Sequence, residues 1–121
     1  MTLIIGLIEH PWLRLLWFGP VLWIGVAAFE EVLRVFVLTR LSALWPGGAG
    51  RWGAVILSTA LAGMTHAYQG PAGIISTGLM GLIAALFYLR RGRIWPLIVS
   101  HALYDAWSVG LGMAAVAYTM R

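Results

Sequence analysis

PVLWIGVAAFEEVLRVFVLTRLSA, residues 20–43, is the stretch whose reading decides the fold. It is apolar over a length that suits a bilayer, since a spanning helix needs about 20 mostly apolar residues. Pro20 suits a first helical position, where its missing N–H is not needed. Inside the run lie two adjacent carboxylates, Glu30 and Glu31, and one arginine, Arg34. Ionisable groups at membrane depth are costly, so they face protein or water and mark function rather than decoration.

The composition agrees with a membrane reading. The chain is 61% hydrophobic and 10% charged, against about 25% charged in a soluble domain. Its mean hydropathy is +0.89. The 121 residues suffice for one domain, 1–121. With no cysteine, disulfide and thiolate chemistry are excluded. All eight basic residues are arginine, and they sit mainly at the ends of apolar runs. There they contact lipid headgroups, and without a basic patch among polar residues no nucleic-acid partner is expected.

Moving outward, three more runs qualify as spans: 52–68, 72–89 and 94–119. PGGAG (46–50), QGPAG (69–73) and RRGR (90–93) separate them. Residues 2–18 are interrupted by Glu9, His10, Pro11 and Arg14 and read as an interfacial or partly inserted lead-in, the alternative being a fifth, broken span. The expected fold is all-α, a polytopic transmembrane helix bundle of about four spans plus that lead-in. Arg40, Arg51, Arg90, Arg91 and Arg93 then share one side, and Arg14 and Arg121 the other. Such a bias makes the first side cytoplasmic. Trp12, Trp45, Trp52 and Trp95 near run ends suit interfacial belts. Gly73, Thr77, Gly81 and Ala85, four apart, form a stripe that lets a neighbouring helix approach closely.

Arginine and tyrosine aside, five ionisable residues fall within the expected spans: Glu30, Glu31, His66, His101 and Asp105. Arg34 shares a helix face with either glutamate, and His101 shares one with Asp105. Three helices therefore carry polar groups suited to one cavity. Two neighbouring carboxylates in low dielectric do not both ionise easily, a condition that suits one of them to general-base work. The structural alternatives are an ion pair that locks helix packing and interhelical hydrogen bonds from the histidines. Glu9 and His10 read as interfacial.

EEVLR, then MTH, then GLMGLIAALFYLRRGRIWPLIVSHALYD, resemble the CAAX prenyl protease and bacteriocin-processing family, the Abi-type or glutamic-type intramembrane proteases, over roughly residues 26–107. The family motifs are EExxxR, FxxxH and HxxxN or HxxxD, each on its own helix. This chain departs from them twice. Only Val32 and Leu33 separate Glu31 from Arg34, and Ala62 stands at the phenylalanine of FxxxH. Anchored on the glutamates, Glu30 and Glu31 are the family pair and Val35 takes the arginine's place. Anchored on Arg34, Phe29 and Glu30 take the pair's places, a rotation of about 100° on the helix.

The resemblance implies a membrane endopeptidase that cleaves a lipidated, leader-bearing or otherwise membrane-associated peptide entering from the bilayer. Glu30 with His66 is then expected to activate water, and His101 with Asp105 to bind or orient the oxyanion. Glu31 and Arg34 are expected to be supporting. It implies no cofactor and a place in the cytoplasmic membrane of a prokaryote. Two alternatives remain. One is a membrane hydrolase with zinc or another divalent metal on His66, His101 and a carboxylate, although no HExxH is present. The other is a non-catalytic membrane immunity or partner protein.

Overall fold

The computed structural model describes residues 2–120. They are helical almost throughout, with no strand among them. In chain order the elements are α1 (Thr2–Glu9), α2 (Pro11–Leu16), a π-wound stretch (Trp17–Ala28), α3 (Phe29–Leu44), α4 (Gly48–Thr65), a 3-10 turn (Ala67–Gln69), α5 (Gly70–Arg91) and α6 (Trp95–Thr119). Two compact units divide the chain: residues 1–30 with 95–121, and residues 31–94.

In the first unit, α1 and the π-wound stretch pack on α6. The lead-in is thus helical, with a break at His10 before Pro11. Its Leu7 is buried. Gly19, at φ −91 and ψ −115, kinks the chain. Pro20 follows it directly, so the residue starts a new helical segment, as its fixed φ and missing N–H favour. Leu7, Leu22, Ala27, Leu97, Ile98 and Ala102 are the buried apolar residues of this unit.

In the second unit, α4 and α5 lie against each other. Small residues allow it: Gly81 and Ala85 are buried on α5, and a Cβ added to Gly63 of α4 would stand 2.8 Å from the Ile74 carbonyl. A Cβ at Gly81 would stand 3.0 Å from the Ala62 Cβ of α4. Leu38, Ala54, Val55 and Ala85 form the core, with Leu41, Leu82, Leu86 and Tyr88 packed on it. α5 ends on Gly92, whose left-handed backbone (φ 62) carries its N–H back to the Tyr88 carbonyl at 2.8 Å.

Helix ends differ from the sequence expectation by a few residues. α5 runs two residues beyond each end of 72–89, because Pro71 is at home in a first turn and both arginines fit the last. The expectation of four spans meets a sharper limit. Among the described residues, Ala67–Arg91 is the one segment long and apolar enough to cross a membrane on that measure alone. α3 continues the π-wound stretch without a break, since Phe29 at the junction keeps a right-handed helical backbone, and Gly19 is the one non-helical residue in that stretch. α6 has the length at 25 residues, but its apolar content is diluted by the serines, His101, Tyr104, Asp105 and glycines it carries.

Large apolar side chains nevertheless cover the surface: Ile24, Ile56, Ile75, Ile83, Trp95 and Trp107 all expose more than half their area. So extensive an apolar exterior suits a surface that meets lipid.

Candidate functional site

The first unit brings together Glu30, His101 and Asp105. His101 and Asp105 are one helical turn apart on α6, and Glu30 lies in the first turn of α3. His101 Nε2 stands 3.5 Å from Asp105 Oδ2 and 3.8 Å from Glu30 Oε2. Both distances exceed an ordinary hydrogen bond and are those of a close electrostatic contact. The His101 side chain is 15% exposed, those of Glu30 and Asp105 32% and 28%. The group is therefore reachable by water yet sheltered enough to strengthen its electrostatics.

Both carboxylates face the same ring nitrogen, Nε2. An acid that orients a catalytic imidazole ordinarily holds the opposite nitrogen, leaving the other for the reaction. Here Asp105 and Glu30 both approach that one nitrogen. Among the described residues, no three histidine, cysteine, aspartate or glutamate side chains are grouped as a metal ion would require.

The second unit holds the remaining candidates. Arg34 Nη1 donates to Glu31 Oε1 one turn back along α3. Their side chains are 8% and 2% exposed, so this is a buried ion pair. Arg34 lies beside Gly81, whose added Cβ would meet its Nε at 3.8 Å. The glycine of the packing stripe thus also makes room for the guanidinium. His66 is not within a helix, contrary to the expectation that placed it in a span over 52–68. It caps α4 with φ −104 and ψ 17, its N–H reaching back only three residues to the Gly63 carbonyl. Its Nδ1 lies 3.1 Å from Thr65 Oγ1 and 3.4 Å from the Ala62 carbonyl, and its ring stacks on Tyr68 at 5.9 Å.

Residues 12–107, most of the chain, match the sequence profile described as type II CAAX prenyl endopeptidase Rce1-like. The chain belongs to the Rce1-like family. No curated protein and no solved structure matches it. The Rce1-like family is one of CAAX-type membrane proteases, which makes this chain a hydrolase by class. Its match extends towards the N-terminus beyond the span of the motifs, taking in the kinked stretch that leads into Glu30.

Within the Rce1-like chain the motif residues distribute between the two units. Glu30, His101 and Asp105 belong to the first, and Glu31, Arg34 and His66 to the second. The shortened spacing between Glu31 and Arg34 leaves an ordinary i, i+3 ion pair on one helix face. Sequence reasoning passed over Thr65 and Tyr68, which hold the His66 ring. The adjacency of Thr65 was the only signal available, because the contact arises from the way α4 ends.

Proposed function

We propose that the protein is an integral-membrane endopeptidase of the CAAX-protease type, in which glutamate and histidine activate a water without a metal. The observation that carries this reading is the approach of Glu30 and Asp105 to His101 Nε2 in a chain of the Rce1-like family. Glu30 is the general base: it is partly open to water, and it takes the proton as water attacks the peptide carbonyl. For His66 the motif correspondence alone suggests a part in activating water. His101 donates to the oxyanion that develops at the carbonyl. Asp105 shares the His101 proton in the resting state and releases it as negative charge builds on the substrate. The Glu31–Arg34 pair is structural and holds α3 in register.

We read the chain as embedded in the bilayer. α5 alone has the length and apolarity of a spanning helix, and the shorter or more polar helices accompany it. The substrate is a lipidated, leader-bearing or otherwise membrane-associated peptide that enters laterally, and the site is in the cytoplasmic membrane of a prokaryote. No cofactor is required.

The test is cleavage of a fluorogenic farnesylated CAAX peptide, and of an unlipidated control, by the full chain in lipid nanodiscs. Cleavage is expected to persist in the presence of chelator. Glu30→Gln is expected to lower kcat by about a hundredfold or more while leaving the unfolding midpoint in place. Full activity in that variant overturns the assignment, and abolition by chelator overturns the metal-free chemistry.

A further inference from the structure

We infer that Thr65 is the positioning residue of His66: it fixes the imidazole as the Nδ1–H tautomer and leaves Nε2 as the nitrogen that accepts a proton. The functional half of this inference rests on the proposed role of His66 at the reacting water. The structural half does not.

The Thr65 hydroxyl has a single proton, and it donates that proton to the Ala62 carbonyl at 2.8 Å. Towards His66 Nδ1, 3.1 Å away, Thr65 Oγ1 is then left with lone pairs and can only accept. The Ala62 carbonyl is an acceptor too, and it lies 3.4 Å from the same nitrogen. Both neighbours of Nδ1 therefore call for an N–H there. The opposite tautomer would place a ring lone pair against a carbonyl lone pair. The hydrogen bond at one ring nitrogen decides the state of the other, so Nε2 carries the free lone pair.

The backbone explains why these groups are available. At the end of α4 the chain tightens, and the His66 N–H goes to Gly63 rather than to Ala62. The Ala62 carbonyl is thereby released from its ordinary i−4 bond, one of the orphan acceptors of a helix C-terminus. Two side chains take it instead, Thr65 through its hydroxyl and His66 through its ring. The ring plane is held from its face by Tyr68, whose ring lies at 30° to it. Tyr68 is itself tied by Gln69, whose Nε2 donates to the Tyr68 hydroxyl at 2.9 Å. A free imidazole in water favours the Nε2–H form, so the turn after α4 reverses the preference and prepares His66 to accept from water.

The test uses the full chain labelled with 15N-histidine in lipid nanodiscs at mildly alkaline pH, where neutral imidazoles can be scored. The His66 signal is assigned by its loss in His66→Gln. Wild type is expected to show a protonated, pyrrole-type Nδ1 and an unprotonated, pyridine-type Nε2. Thr65→Ser keeps the hydroxyl and is expected to keep that pattern. Thr65→Val has the same shape without the hydroxyl at an exposed position, so it folds, and its population is expected to move towards Nε2–H. A wild type already in the Nε2–H form, or a valine variant with an unchanged pattern, overturns the inference. This readout needs no turnover, so it stands or falls apart from the peptidase reading. In the cleavage assay, Thr65→Val is expected to lower kcat at least about tenfold with KM unchanged, and Thr65→Ser to restore it. A shifted tautomer with unchanged kcat overturns the positioning role.

Discussion

Removing the charge of Glu31 is expected to damage stability before chemistry. Glu31 and Arg34 form a buried ion pair on one face of α3, with side chains 2% and 8% exposed. Glu31→Gln leaves the Arg34 cation in that setting without its carboxylate. Two unit charges about 4 Å apart at an effective dielectric of about 20 attract by about 4 kcal/mol. Breaking one partner of a buried pair costs about 3–5 kcal/mol by experience, which agrees. Arg34→Met alone is expected to cost a similar amount, because it leaves the Glu31 anion buried. The double variant, Glu31→Gln with Arg34→Met, removes both charges and is expected to lose clearly less stability than the sum of the two single losses. The assay is unfolding of each variant in the same detergent, followed by tryptophan fluorescence, and assembled as a double-mutant cycle. The expected coupling is about 2–3 kcal/mol. A coupling below about 0.5 kcal/mol, the error with which independent sites add, refutes the view that this pair is a structural lock.

Asp105→Asn is expected to keep cleavage within about tenfold of wild type, a change of about 1.4 kcal/mol in the barrier, because an amide no longer competes as an anion for the His101 proton. Loss as deep as that of His101→Ala, measured as kcat on the same peptide, contradicts the competition inferred from the shared Nε2. Gly81→Leu is expected to lower stability by about 1–3 kcal/mol, since the new side chain starts 3.0 Å from Ala62 and beside Arg34. Gly110→Ala is the contrast, with no neighbour within 4 Å of the new Cβ and a gain of up to about 1 kcal/mol from helix propensity. Equal unfolding midpoints for the two glycine variants defeat the packing argument.

Much of this was legible in the residues themselves. Composition and long apolar runs sufficed for an all-helical membrane reading, and the order of EEVLR, MTH and HALYD sufficed for the family. Of the stripe Gly73, Thr77, Gly81 and Ala85, Gly81 and Ala85 meet α4 as the spacing implied, because a step of four on a helix fixes a face whatever the partner. Span counting was less secure. Pro20 and PGGAG marked both ends of the first run, where the chain kinks at Gly19 and α3 ends at Leu44, but hydropathy adds over a window and did not weigh the polar residues that dilute α6.

What the sequence determined alone is local: which residues are helical, which share a face, and that Arg34 can reach a glutamate one turn away. Each of these follows from a 3.6-residue repeat acting over a few positions. Tertiary structure decided which partner meets which. Nothing in EEVLR says that Glu30 approaches the same nitrogen of His101 that Asp105 does, for that depends on how α6 packs beside residues far away in the chain. Nor does MTH disclose that α4 ends at Thr65 and turns the freed Ala62 carbonyl towards the His66 ring. Such contacts are fixed by the competition of many distant side chains for the same space, and that competition is resolved only when the chain is folded.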